Sequence, residues 1–412
     1  MSSRLLESSA QIRRDLATMW AAPVEVVEAR PGHGNAKQTF AVLPSARRPR
    51  IVSSGPPAAT AAAVRRFSHS TGILGRSARV ALAAAIRTGA VGLVFRDRLA
   101  LIDAGEIEAG GGTGSVIAEL AEIFGTEVAI AMSVGSVRAN RKPILHVVTP
   151  DGDTLGFAKL GLSPLACQLV RAEAANLRLL AGHDFEHLER PQVIHHGEWQ
   201  GHELLVVTAL HAPFRPRHAR DMLPVRAMEE LAAFGGISTQ PLAESSWFGG
   251  VFTVAAETSD SSARRLEGLL QRLADHSGER SVRFGSWHGD WGPWNMVWAG
   301  ERVRLWDWER FARGVPYGLD ALYYSLPAEP EETQLPELRE SAAKALAPFS
   351  VAPDEADLLL ALYVTALTAR FLPDSLTEHG AQLRPRVVAL LDLLEALPAT
   401  GATHRRAAAV QR

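Results

Sequence analysis

Two carboxylates, an amide and a histidine stand close together in Trp287-His288-Gly289-Asp290-Trp291-Gly292-Pro293-Trp294-Asn295 and Leu305-Trp306-Asp307-Trp308-Glu309. The pattern reads H-G-D-x-x-x-x-N, then an aspartate twelve residues later at the end of a β-prone run. That spacing suits metal-assisted phosphoryl transfer, which needs a base for an incoming hydroxyl and oxygen ligands for magnesium. Asp290 is the candidate base. Taken alone it would be an ordinary turn aspartate beside glycine; its spacing to Asn295 and Asp307 is what points to chemistry. Asn295 and Asp307 are the candidate metal ligands, since Mg²⁺ takes a few protein oxygens and fills its shell with water and phosphate. His288 reads as hydrogen-bonding support under the loop rather than as a proton-transfer group.

A cation for phosphate is available at Lys159, which ends an apolar strand after Phe157 and Ala158. Glu173, on the helical stretch that follows, can hold it in place. The plainer alternative is an exposed strand-end lysine and a helix-surface glutamate; Glu203 falls too early for the partner role. Six of the nine tryptophans lie between 287 and 308. Gly289, Gly292 and Pro293 argue against a continuous helix there, so the tryptophans are expected to pack around the loop, with Trp291 and Trp294 as alternative substrate contacts. The glycine run Gly110-Gly111-Gly112-Thr113-Gly114 imitates a dinucleotide fingerprint, but Ile117 stands where the third glycine belongs and no βαβ unit surrounds it. No G-x-x-x-x-G-K-S/T occurs.

The elements that must position these groups fall in two kinds. Up to residue 210, β-like pieces predominate at 24–27, 39–43, 50–53, 91–95, 99–102, 127–134, 144–149, 154–159, 192–195 and 203–209, with helical stretches at 9–20, 57–67, 78–88, 115–124 and 164–180. Asp151-Gly152-Asp153 marks a hairpin between two of them. A loose loop at 105–114 is the first expected domain boundary. From 211 the chain turns mostly helical, at 223–234, 263–276, 335–347, 355–372 and 383–397. The tail from 398 has no apolar face. The strand–helix–strand order at 24–102 returns at 127–210, which raises a duplicated module against chance resemblance of short β pieces.

The chain has 412 residues, a formal net charge of −2 and one cysteine, Cys167. Such a balance argues against nucleic acid or an anionic membrane as partner, and one cysteine excludes an internal disulfide framework. The polar N-terminus lacks a signal-peptide core, so a cytoplasmic protein is expected. An excess of acidic residues from 320 to 357 fits a solvated helical face or a cationic acceptor.

Together His288-Gly289-Asp290, Asn295 and Asp307-Trp308-Glu309 resemble the aminoglycoside phosphotransferase and choline kinase type of protein-kinase-like fold. The resemblance spans roughly 115–395. It implies a bilobal α+β fold with a small antiparallel-sheet lobe at 113–210 and a helical lobe at 211–397, ATP and Mg²⁺ as cofactors, and a small hydroxylated molecule (a sugar, aminoglycoside or amino alcohol) as acceptor. It assigns Asp290 as base, Asn295 and Asp307 to metal, Lys159 with Glu173 to the nucleotide phosphates, and a structural role to Asp320. The run 204–210, with Thr208 and Leu210, resembles the hinge whose backbone meets adenine. Two departures stand out. The phosphate-covering run 132–138 has one glycine, so Arg138 or Arg141 is a candidate substitute; and residues 1–112 match nothing in the family's minimal form. If those residues are a degenerate copy, Val52 and Ser53 replace the lysine, and Arg65 and Arg66 sit on its helix. That copy would then be a dock or regulatory cap. The alternative from another class is a nucleotide-binding pseudokinase scaffold whose N-terminal module recruits a partner.

Overall fold

The computed structural model describes residues 3–20, 24–29, 36–45, 48–67, 73–88, 97–103, 114–133, 142–210 and 222–398. The glycine-rich connection 30–35, the strand at 91–95, the loop through 113, the candidate phosphate contacts Arg138 and Arg141, and the tail from 399 lie outside them. The chain forms two compact units, one of residues 1–181 with 191–210 and the other of residues 182–190 with the chain from 211 onward. Its fold class is α+β, with a large antiparallel sheet in the first unit and a mostly helical second unit.

The strands are β1 (Val24–Glu28), β2 (Gln38–Ser45), β3 (Arg48–Ser53), β4 (Arg98–Asp103), β5 (Ala129–Ser133), β6 (Ile144–Val148), β7 (Thr154–Gly161), then β8 (Leu188–Glu189) of the second unit, β9 (Val193–Trp199) and β10 (His202–Val207). The helices of the first unit are α1 (Ser3–Thr18), α2 (Pro57–Phe67), α3 (Ile73–Arg87), α4 (Val116–Phe124) and α5 (Pro164–Leu180). Nine strands make one sheet in the order β1-β4-β2-β3-β5-β6-β7-β10-β9. The boundary expected at 105–114 therefore does not separate two bodies. β3 pairs with β5 directly, Val52 opposite Met132, and one core runs from Ile12, Leu16 and Phe40 through Ile130 and Leu145 to Leu204 and Val206.

The duplicated order is not repeated in the pairing. Strands β5, β6, β7, β10 and β9 are neighbours in that sequence, whereas β4 inserts between β1 and β2. Alternation along β7 decides which residues share a face. Ala158 and Leu160 are fully buried in the core just described. Phe157 and Lys159 project to the opposite face, where α2 packs: Ala59 and Ala62 against Ala129 and Val148.

The second unit holds α6 (Val225–Ala232), α7 (Ser246–Glu257), α8 (Ser261–Ser277), α9 (Leu319–Ser325), α10 (Leu335–Leu346), α11 (Pro353–Ser375) and α12 (Arg384–Ala396). Its strands β11 (Ser238–Pro241), β12 (Ser281–Trp287) and β15 (Ala312–Pro316) form one small sheet; β13 (Met296–Ala299) and β14 (Arg302–Leu305) form another with β8. α7 is absent from the sequence expectation because Gly249-Gly250 disfavours a helix. Ser245 caps it by accepting from the Phe248 amide, and burial of Phe248, Val251 and Ala255 overrides local propensity. α11 is long and apolar enough to span a bilayer by composition alone. It lies inside the unit's core, with Leu358 through Val364 all within a few percent of full burial.

Candidate active site

The H-G-D turn follows β12, whose central residues are clamped on both edges by β11 and β15. Gly289 sits at φ +78°, and a Cβ there would meet the Arg310 carbonyl at 2.5 Å. Only glycine takes that left-handed conformation in so tight a space at little cost. Asp320, one residue into α9 and buried at 6% exposure, anchors the turn from below. Its Oδ2 accepts from the His288 amide (2.7 Å) and its Oδ1 from the Gly289 amide (3.0 Å). From α11, Arg370 Nη2 donates to the Gly289 carbonyl at 2.5 Å, and its guanidinium lies over the rings of Trp287 and Tyr323. The turn is thus held at successive peptides by a carboxylate and a guanidinium.

Asp290 emerges from this support partly buried. Tyr323 donates its hydroxyl to Oδ1. Asn295 donates Nδ2–H to Oδ2 at 2.8 Å and to the Asp290 carbonyl at 2.9 Å. Burial pushes the Asp290 carboxyl above the ordinary aspartate range; the Tyr323 hydroxyl opposes that, the Asp307 charge adds to it, and Arg370 and Asn295 oppose it. Burial also raises Asp320, to about 7, against the two amide hydrogen bonds and Arg370. Tyr323 is itself raised, by burial first and then by the Asp290 charge, so it remains a neutral donor.

Asn295 and Asp307 stand at the neighbouring ends of an antiparallel pair. Met296 faces Leu305 in the ladder, and the Trp306 amide donates to the Asn295 carbonyl at 3.0 Å. Asp307 has φ 72° and ψ 57°, a left-handed conformation that costs a non-glycine residue roughly 1–2 kcal/mol. Strain of that kind concentrates where a side chain must be aimed. Asn295 spends its NH₂ on Asp290, which leaves the amide oxygen as the atom it could offer a metal. An amide oxygen and a carboxylate are the hard donors that Mg²⁺ prefers, so this donor set fits the ion.

His288 is fully buried. Its Nδ1 accepts from the Asp290 amide at 3.2 Å, a bond that places the ring proton on Nε2. The ring packs edge-on against Trp308 and Trp291, with centroids 4.8 and 6.0 Å away. Trp291 and Trp308 are fully buried, whereas Trp294 is 58% exposed and contacts the Tyr323 ring edge-on. The tryptophans therefore divide into packing around the loop and one open aromatic surface beside Asp290.

In the first unit Lys159 and Glu173 come together. Lys159 Nζ donates to both carboxylate oxygens of Glu173, at 2.6 and 2.5 Å, and the two side chains are 7% and 1% exposed. Neither is the surface residue of the plainer alternative. Ser163 caps α5 by accepting from the Ala166 amide, with Pro164 in the first turn, and this fixes the helix that carries Glu173. Glu203 pairs elsewhere, with Arg171 (2.5 Å) and His196 (2.9 Å). Thr208 and Leu210 follow β10. Thr208 exchanges hydrogen bonds with Gln192, its amide donating to the Gln192 carbonyl and its hydroxyl accepting from the Gln192 amide, both 2.9 Å.

Tyr323 and Arg370 are the two groups that motif reading misses. Both lie on helices with no motif of their own; the one available signal is that Tyr323 stands three residues after Asp320, on the same face of α9.

No family model and no curated protein matches the chain. Among solved structures it is similar to a putative fructosamine-3-kinase from Haemophilus somnus 129PT, at 15% identity over 68% of this chain and 96% of that one, TM-score 0.41. A thermostable mutant of aminoglycoside phosphotransferase APH(4)-Ia, in ternary complex with AMP-PNP and hygromycin B, aligns at 12% identity over 70% and 99%, TM-score 0.47. A gentamicin complex of APH(2")-IIa aligns at 11% over 72% and 99%, TM-score 0.42.

Proposed function

We propose that this chain is an ATP- and magnesium-dependent phosphotransferase acting on a hydroxyl of a small molecule. The observation that carries the reading is the Asp290 carboxylate, held by Tyr323 and Asn295 on a turn braced by Asp320 and Arg370, with Asp307 at the adjoining strand end. A base in such transfers must be fixed before the acceptor arrives, because positioning and electrostatics supply most of the catalysis. Asp290 orients the acceptor hydroxyl and takes its proton as the oxygen–phosphorus bond forms and the bond to the β–γ bridging oxygen breaks. Asn295 and Asp307 would hold magnesium, which when bound offsets charge on the phosphate oxygens. Lys159, held by Glu173, meets the α and β phosphates, and the backbone at Thr208 to Leu210 meets the base. His288 keeps the turn in shape.

The test is magnesium-dependent ATP turnover against a panel of sugars, aminoglycosides and amino alcohols. Turnover with at least one acceptor is expected. ATP binding without turnover on any of them would favour the scaffold reading instead.

A further inference from the structure

Between the candidate base Asp290 and the candidate metal ligand Asn295 stand four residues, Trp291-Gly292-Pro293-Trp294. Their backbone closes on itself. The Gly292 amide donates to the Asp290 carbonyl at 2.8 Å, and the Asn295 amide to the Gly292 carbonyl at 2.9 Å. Asn295 Nδ2 ties the same loop to Asp290 from its side chain, and Pro293 has a φ fixed by its ring. The two tryptophans of this braced loop have opposite fates. Trp291 is fully buried, and its Nε1–H meets the Met296 sulfur at 3.4 Å. Trp294 is more than half exposed.

Exposure alone is ordinary for one apolar side chain. What sets Trp294 apart is that its ring is pinned. A Cβ on Gly292 would fall into the indole, with Cε2, Cζ2 and Cδ2 the nearest atoms and Cδ2 at 2.7 Å. The fused edge of the ring therefore rests on Gly292, and a larger residue there would push it away. Tyr323 meets the indole edge-on, centroids 6.3 Å apart and planes 63° from parallel. The same Tyr323 donates its hydroxyl to Asp290. Ring and base are thus fixed through one shared side chain, so covering the indole loses little rotamer freedom. An indole face suits either the C–H face of a saturated ring or a cation. The chief charges acting on Tyr323 are Asp290 and Arg370, which are opposite in sign. The Arg370 guanidinium already lies over the Tyr323 ring at 5.7 Å. A cation therefore gains little beside this indole, whereas an uncharged ring needs no counter-charge.

We propose that Trp294 is an acceptor-specificity residue whose exposed face stacks on an uncharged pyranose or cyclitol ring and so holds a ring hydroxyl at Asp290. The inference rests on the phosphotransferase reading of Asp290. It narrows the acceptor from any small hydroxylated molecule to a ring with a C–H face. An acyclic amino alcohol would leave the indole bare.

The experiment uses the full chain labelled with 5-fluorotryptophan, in which the Trp294 fluorine signal is the one missing from Trp294→Tyr. Methyl α-D-glucopyranoside, methyl α-D-galactopyranoside, myo-inositol and choline are titrated separately, and each is also offered as acceptor with MgATP. At least one ring compound is expected to shift the Trp294 signal saturably and to be phosphorylated, while choline does neither. Trp294→Leu keeps apolar bulk without the flat face. It should raise KM for that ring compound about tenfold while lowering kcat less than about threefold. Trp294→Tyr, which keeps an aromatic face, should recover most of the loss; thermal unfolding confirms that each variant is folded. An unchanged KM in Trp294→Leu would overturn the proposal, leaving Trp294 as an exposed loop residue. A Trp294 signal that moves with choline and with no ring compound would also overturn it, in favour of a cation site. Phosphorylation of any of the four compounds with the Trp294 signal unmoved sinks this inference alone. No signal change with any of them, and no turnover across the wider acceptor panel, sinks the phosphotransferase reading with it.

Discussion

The two units hold their key charges in opposite ways. In the first, Lys159 and Glu173 close on each other, both carboxylate oxygens bonded to one ammonium and almost no exposure left. In the second, Asp290 is partly buried, bonds directly to no cation among the described residues, and takes hydrogen bonds from a neutral amide and a neutral phenol. A closed pair fixes position, and desolvation consumes most of its Coulombic gain. A carboxylate whose burial is only partly offset by neutral donors keeps a raised affinity for protons. The first arrangement suits a group that orients, the second a group that reacts.

The largest effect should come from breaking the closed pair on one side. Lys159→Ala, which removes the ammonium bonded to both oxygens of the buried Glu173, is expected to destabilise the chain by about 3–5 kcal/mol. The double variant Lys159→Met/Glu173→Leu should recover most of that stability in urea unfolding while binding nucleotide poorly. A double variant as unstable as the single one would show that the pair does more for folding than the comparison allows.

A smaller effect belongs to the open carboxylate. Tyr323→Phe removes the strongest influence opposing the burial of Asp290, so the Asp290 carboxyl should titrate at still higher pH. Carbon-13 NMR of labelled aspartate carboxyls would measure the midpoint. Activity that needs ionised Asp290 would accordingly lose its acid limb at higher pH in the variant. A midpoint that stays or falls would remove Tyr323 from any tuning role.

The smallest effect is a slope. The Asp320 carboxyl is raised to about 7 from the ordinary 3.8, so between those values the folded chain holds a proton that the unfolded chain has lost. Its contribution to stability therefore declines as pH rises through that window. Asp320→Asn should flatten the decline in denaturation curves taken from pH 4.5 to 7.5. An identical slope in the variant would mean that Asp320 stays ionised throughout.

Much of this site was legible in the chain because its parts are local. Asp290, Asn295 and Asp307 lie within eighteen residues, and glycine and proline punctuate the turn that separates them. Lys159 and Glu173 needed only the order strand then helix, and the structure brings them into a pair. Tyr323 and Arg370 were not legible, since they reach the loop from helices whose burial patterns give no sign of a polar role. The nine-stranded sheet was hidden for a related reason. Pairing of β3 with β5 spans a long stretch of chain, and strand propensity says nothing about which edge meets which. The glycine loop at 105–114 looked like a boundary, yet the strands on either side of it belong to the same sheet.

The central claim is that Asp290 acts as the base. The direct measurement compares wild type with Asp290→Asn, which keeps the side chain's shape, for MgATP affinity and for acceptor-dependent phosphoryl transfer. The account predicts nucleotide affinity within about twofold of wild type and transfer reduced about a hundredfold or more. Transfer at the wild-type rate in Asp290→Asn would contradict it.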